Sequence, residues 1–254
     1  MWTRMAMTYR LSFALALVAN TVTTLLDFAA ILIMFSHVES LGGFTFPEVG
    51  LLYGSTSLAL ALAHLLMGDL SRVGARVRAG TLDQMFVRPA PVFVQLAADR
   101  FDLRRLGRAV QGIGVLVWAV PQLDVAWTAG HVGLLLMMLL SGTAIFSAVH
   151  VFGAAFQFVA QDASEVQNSF TYGGNTMLQY PPTVFARELV QGVTFVVPLA
   201  FVNWVPALRL LGKDDPLGLP GWVDFMSPAV AGVLCAAAAL VWRAALRSYR
   251  STGS

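Results

Sequence analysis

"RVGARVRAGTLDQMFVRPAPVFVQLAADRFDLRRLGR", residues 72–108, decides how this chain is read. Eight of the sixteen Lys and Arg residues fall in this one stretch. Around it the chain is greasy: of 254 residues, 57% are hydrophobic and 12% charged, with a mean hydropathy of +0.70. A soluble domain carries about 25% charged residues. A water-soluble core of this size cannot bury so much apolar surface, so the composition points to an integral membrane protein. The basic stretch is then the longest polar interruption between membrane-crossing segments.

A helix needs about twenty apolar residues to cross the hydrocarbon. Six segments qualify, at about 13–35, 50–68, 109–127, 131–160, 187–211 and 228–247. The expected fold class is therefore all-α: a polytopic membrane protein with six transmembrane helices in one domain covering 1–254. Positive charge marks the cytoplasmic side. The N-terminus, the 69–108 loop, the 161–188 loop and the C-terminal tail hold fourteen of the sixteen Lys and Arg residues. The opposite side keeps Arg209 and Lys213 with Glu39, Glu48, Asp124, Asp214, Asp215 and Asp224. Both termini are thus expected in the cytoplasm, in a bacterial cytoplasmic membrane. The excess of Arg over Lys, with abundant Ala and Gly, fits a bacterial genome of high GC content. The first apolar run is too long for a signal-peptide core and lacks a small-residue cleavage site. The opening "MWTRMAMTYRLSF" places Trp2, Met5 and Tyr9 near one face, as in an interfacial helix.

Within the basic stretch, "TLDQMFVRP" has a local logic. Thr81 followed by Gln84 is a capping-box pattern. Leu82, Met85 and Phe86 share one face, and Asp83 suits the positive end of the helix dipole. Pro89 ends the segment and pushes Arg88 out of the helical region. A helix of about two turns is unstable alone, so it must dock on something. A loop that serves only to set topology needs no such helix.

Polar residues inside the spans are costly and usually face a bundle interior or a wet cavity. Asn20, Thr24 and Asp27 fall at i, i+4, i+7 in the first span, either as a pathway wall or as an interhelical hydrogen-bonding seam. His150 is placed to pair with Asp27 or to serve in packing, and His64 reads the same way. Ser141, Gly142, Thr143, Ser147 and Gly153 suit close helix packing in the fourth span. In the fifth, Pro198 and Pro206 each bend the helix, Asn203 adds a buried polar group and Trp204 fits the outer interface. The stretch "KDDPLGLPGWVDFMSP" is expected to dip into the outer membrane surface.

No phosphate-binding G-x-x-x-x-G-K-[ST] loop, H-E-x-x-H, metal-ligand cluster or G-x-S-x-G occurs, and "TYGGNT" is too weak for a phosphate site. The chain is therefore expected to be neither an ATPase nor a metalloenzyme, and to need no cofactor or nucleic acid. An enzyme acting on lipid-linked substrates would have to use Asp162, Glu165, Asn168, Tyr172 and Glu188 of the 161–188 loop. A non-catalytic scaffold subunit is a further alternative.

Three stretches carry a resemblance over essentially the whole chain: "GTLDQMFVRPAPVFVQL" (80–96), "QYPPTVFAREL" (179–189) and "TFVVPLAFVNWVPALRLLGK" (194–213). Together they resemble the permease subunits of ABC-2 type ATP-binding cassette transporters. Trp204 stands where Tyr is more usual, and Pro182 doubles a usual single Pro. The resemblance implies a type V permease fold with an amphipathic N-terminal helix and a coupling helix between spans two and three. It also implies a re-entrant outer segment between spans five and six, at residues 212–227. It assigns Leu82, Asp83, Gln84, Met85, Phe86, Arg88 and Pro89 to coupling with a separate ATPase chain, which would hold ATP and magnesium. It implies a second permease chain, identical or related. The route for a hydrophobic or amphipathic small molecule, exported across the bilayer, would lie between the two chains near Asn20, Thr24, Asp27 and Asn203.

Overall fold

The computed structural model describes residue 26 and residues 28–67, 70–98, 104–160 and 164–249. The expected N-terminal interfacial helix, most of the first span, and Asn20, Thr24, Asp27 and Asp162 lie outside the described residues. The described elements are helical: α1 (Phe46–Met67), α2 (Val73–Arg78), α3 (Asp83–Phe86), α4 (Val92–Ala98), α5 (Arg104–Ala119), α6 (Ala129–Phe156), α7 (Ser164–Asn168), α8 (Gly174–Leu178), α9 (Arg187–Gln191), α10 (Trp204–Leu211) and α11 (Ser227–Ser248). Among the described residues, α1, α6 and α11 are long and apolar enough to cross a membrane.

Apolar helices gain little from associating within a bilayer, so close packing and hydrogen bonds must hold them. Small residues supply the closeness. Gly54 and Gly112 face each other where α1 crosses α5; a Cβ on Gly112 would stand 2.9 Å from the Leu58 nitrogen and 3.1 Å from the Gly54 oxygen. At the α1–α6 crossing, a Cβ on Gly142 would meet the Val202 carbonyl at 2.9 Å and the Ala59 methyl at 3.3 Å. Buried Ser141, Thr143 and Ser147 lie on the same helix. Thr143 and Ser147 each donate back to the carbonyl four residues earlier, at 2.7 and 2.8 Å, so neither hydroxyl is left unpaired.

The stretch expected as a cytoplasmic loop, 161–188, is different. From α7, through a π-helical turn at Ser169–Gly173, to α8, the chain is one continuous helical rod. It runs alongside α1 from end to end. Gln167 packs against Gly153 near the C-terminal end of α6. The Tyr172 ring lies 5.3 Å from His64, in the last turn of α1. Thr56 donates to Asn175 at 3.4 Å, and Gln179 donates to Ser57 at 3.3 Å. Finally Thr183 donates to the Gly42 carbonyl at 2.7 Å, beyond the start of α1. The rod's buried residues Gln167, Thr171, Asn175 and Leu178 recur at i, i+4, i+8 and i+11, a helical stripe turned inward. Its polar groups are spent on neighbouring helices, which is why a polar sequence can occupy the interior.

The second correction concerns 187–211, expected as the fifth span. It begins just after Thr183, beside Gly42, and ends at Lys213, whose ammonium donates to the Gly43 carbonyl at 2.7 Å. The two ends therefore flank one turn at one end of the bundle. Between them the chain descends through α9 and a π-helical turn (Gly192–Val196), then reverses at Val197 and Pro198. Val197 is extended at φ −119°, ψ 90°, and Pro198 has no N–H to continue a helical ladder. The 3₁₀ turn Leu199–Val202 and α10 carry the chain back. So 187–211 is a hairpin inserted from one end and not a single bent span. Pro198 sits at its elbow. Pro206 is the third residue of α10, where its missing N–H has no helical partner to lose, and the helix continues through it to Leu211.

One further expectation changes. Trp204 is 1% exposed and donates its indole N–H to the Tyr180 carbonyl at 2.9 Å, so it belongs to the core and not to an outer interface. Residues 212–226 form turns with a single 3₁₀ turn at Val223–Phe225; Val223 is buried against the core, and Trp222 and Phe225 are exposed.

Candidate functional site: the inner hairpin and the buried polar seam

The basic stretch folds as a hairpin beneath the long helices. Two residues beyond α2, Gly80 at φ +65° reverses the chain in a conformation that a Cβ would strain. Thr81 does not cap the next helix: its hydroxyl turns back to the Arg76 carbonyl at 3.4 Å. Leu82 occupies the cap position with helical angles, φ −67° and ψ −33°, and no side-chain cap is made. The expected two-turn helix with a capping box is accordingly one turn, α3.

What replaces the cap is packing and one glutamine. Leu82 and Met85 are buried in an apolar cluster with Val77, Leu96, Ala148 and Trp242. Gln95 of α4 donates to the Met85 carbonyl at 2.8 Å and to the Ala90 carbonyl at 2.7 Å, closing the turn from behind. The residues expected to serve in coupling thus divide. Leu82 and Met85 are used internally. Asp83 accepts from the Tyr249 hydroxyl at 2.9 Å, and Gln84 points outward. Phe86 is half exposed and stacks on the Tyr249 ring at 5.5 Å with planes 8° apart. From Phe86 through Val87, Arg88, Pro89 and Ala90 to Pro91, every residue is exposed. The outcome is a rigidly backed tip, "FVRPAP", that offers apolar surface, a guanidinium and two prolines.

Above the hairpin runs a seam of paired polar groups. Gln157, at the end of α6, accepts from the Gly74 N–H at 2.9 Å and donates to Gln167 at 2.8 Å. His150 is buried, with Nδ1 2.8 Å from the Phe146 carbonyl and its ring 4.6 Å from that of His64. The Arg108 guanidinium lies 5.3 Å from the Tyr172 ring centre, within cation–π range. Gln111 donates to the Tyr53 hydroxyl at 2.9 Å. Asn203, fully buried, donates both amide hydrogens, to the Leu52 and Leu178 carbonyls at 3.1 and 2.9 Å. It staples α1, α8 and the hairpin at one point. Glu165 and Glu188, grouped by the enzyme alternative, lie at opposite ends of the inner rod and do not converge.

At the other end, Lys213 pairs with Glu48 at 3.0 Å and sits 5.0 Å from the centre of the Phe44 ring. Glu48 also accepts from the Thr45 N–H at 2.7 Å. Between α6, the inner rod and the elbow lies an apolar cavity of about 410 Å³, lined by Val149, Phe152, Phe170, Val197 and Leu199, with Leu234 of α11 on one wall.

Long apolar helices, a polar rod threaded among them and a hairpin at the basic end describe a membrane component. A family model for "ABC-2 family transporter protein" matches residues 21–253. The chain belongs to the ABC-2 transporter family. No curated protein and no solved structure matches it. Membership makes this chain the membrane component of a transporter and implies association with an ATPase subunit. Sequence reasoning missed the inner rod, the Gln95 closure and the Tyr249 contact. The i, i+4, i+8 recurrence of Gln167, Thr171 and Asn175 was the available signal for the first.

Proposed function

We propose that this chain is the permease subunit of an ATP-driven exporter of a hydrophobic or amphipathic compound, whose "FVRPAP" tip docks on a separate ATPase chain that binds ATP and magnesium. The observation that supports this reading is the tip itself. Six consecutive exposed residues are held from behind by Leu82, Met85 and Gln95, so a push on the tip moves the helices above it and does not merely deform a loop. The charge pattern supports a cytoplasmic placement of that end. With Arg187 moved to the outer end, thirteen of the sixteen Lys and Arg residues remain on the cytoplasmic side.

In this reading the six crossings are the first span, α1, α5 with its 3₁₀ extension, α6, the 164–180 rod and α11. The rod's seventeen residues span about 25 Å, close to the roughly 30 Å of hydrocarbon. The 187–211 hairpin is then the re-entrant outer segment between crossings five and six, and both termini are cytoplasmic in a bacterial inner membrane. Export runs at the interface with a second permease chain, beside Asn20, Thr24 and Asp27. Asn203 serves the route as the staple behind its wall.

The test is a mild-detergent pull-down of the tagged chain from native membranes, with and without Phe86→Ala and Arg88→Glu. A stoichiometric ATPase subunit that both variants lose, while membrane insertion is kept, is the expected result. Retention of that subunit by both variants would remove the coupling role. Recovery of the chain alone would remove the transporter assembly.

A further inference from the structure

The hairpin is not tied only to the helices directly above it. Tyr249 is the first residue after α11, and its extended angles, φ −61° and ψ 128°, turn its ring away from the helix axis. The ring stacks on Phe86 at 5.5 Å and meets Phe158 edge-on at 5.9 Å. Its hydroxyl donates to Asp83 at 2.9 Å across 166 positions of sequence. One turn or two earlier, Trp242 stands edge-on between Phe93 of α4 and Phe158, at 5.6 and 5.5 Å. Two ring contacts, Phe86–Tyr249 and Phe93–Trp242, and one hydrogen bond thus fasten the hairpin and α4 to the inner end of α11. Further along α11, Leu234 forms part of the wall of the apolar cavity with Val196, Val197, Pro198 and Leu199, the elbow of the inserted hairpin. Leu234 and Tyr249 are fifteen residues apart on one helix, about 22 Å.

We propose that Tyr249 is a latch that couples the 82–91 hairpin to α11, making α11 the rod by which movement of that hairpin reaches the elbow at Val197–Pro198. Neither end has to be flexible for this. The rod is one unbroken helix: its inner end meets the 82–91 hairpin, and Leu234, near its middle, lines the cavity that the elbow also lines. Burial, reinforced by the Asp83 bond and charge, raises the Tyr249 phenol to about 12. Its hydroxyl therefore stays a donor throughout the physiological range, and the latch is a constant link with no pH switch in it. The proposal rests on the reading of residues 82–89 as the coupling segment for its role, but not for its geometry.

Two measurements test it separately. The full-length chain in lipid nanodiscs is followed by amide hydrogen exchange with Tyr249→Phe, which keeps the ring stack and deletes only the hydroxyl. Loss of one hydrogen bond should speed exchange over 82–91 by about five-fold. The same variant should speed exchange over 192–199 while leaving α1 and α5 unchanged. Adding Tyr249→Phe to Asp83→Ala should not speed exchange beyond Asp83→Ala alone, since the Tyr249 hydroxyl then has no Asp83 carboxylate to meet. Acceleration confined to 82–91, or absent from both segments, overturns the latch. The second measurement uses the complex with its ATPase subunit, carrying an environment-sensitive fluorophore on Val196→Cys with Cys235→Ala. The fluorophore response per ATP hydrolysed should fall several-fold with Tyr249→Phe; an unaltered response overturns transmission through α11. If no ATPase subunit joins the wild-type chain, the coupling reading alone fails, because the exchange result on the isolated chain stands without a partner.

Discussion

Two helical rods of this molecule, 164–180 and α11, run the same course in opposite style. α11 is apolar throughout its middle, and Val233 and Leu240 stand 69% and 64% exposed. The 164–180 rod carries Gln, Asn, Thr and Tyr, and its buried stripe is largely polar. Both reach from one end of the bundle to the other. The difference is what surrounds them. α11 turns much of its surface outward, where lipid demands hydrocarbon. The inner rod meets other helices, where a polar group that finds a partner is tolerated and one that finds none is costly. Hydropathy therefore reports what a segment faces and not whether it crosses.

The comparison can be broken by substitution, and four changes rank it by unfolding free energy in detergent. Gly153→Leu should have the largest effect, about 3 kcal/mol, because its Cβ already collides with Gln167 and the rod cannot retreat. Asn203→Ala comes next at about 2 kcal/mol, since the Leu52 and Leu178 carbonyls each lose the Asn203 amide in a buried site. Gln157→Ala should cost about 1–1.5 kcal/mol by unpairing the Gly74 N–H and Gln167; faster amide exchange at Gly74 would identify that bond as the one lost. Leu240→Ala on α11 should stay within about 0.5 kcal/mol, as for a side chain that is mostly exposed. If Leu240→Ala matched Asn203→Ala, the outer face of α11 would be packing on protein, and a second chain would be its natural neighbour.

Placement across the membrane sharpens the comparison in a different way. With Cys235→Ala as background, a cysteine at Thr183 should react with a membrane-impermeant maleimide added outside intact cells, and one at Arg78 should not. Equal protection of both positions would return residue 183 to the cytoplasmic side and restore the 187–211 segment as a crossing.

Much of the architecture was legible because its causes are local to the sequence. α1, α6 and α11 announce themselves by length and hydrocarbon content, and their observed limits lie within four residues of those expected. The hairpin was legible from Gly80 and Pro89, which constrain backbone angles wherever they occur. The Thr81–Gln84 cap was not made because its geometry depends on the angles at Leu82, and burial of Leu82 and Met85 settled those angles from a distance. The inner rod and the inserted hairpin were illegible for a related reason. Pro198 in a long apolar run can kink a crossing or reverse it. The choice is made by partners far away in sequence, Leu199 against Gly174 and Asn203 against Leu52. Trp204 was likewise read as an interface anchor, although its N–H needs only a partner. The Tyr180 carbonyl supplies one inside the core.

Lys213 is the single lysine of the sequence. Its ammonium holds the Gly43 carbonyl, the Glu48 carboxylate and the Phe44 ring together at the end of the bundle opposite the basic hairpin. An amine-acylating reagent therefore meets one lysine side chain in this chain. Acylation there would erase the only positive charge in that cluster. The extent of modification, read by mass on the intact chain, would report how often this closure opens.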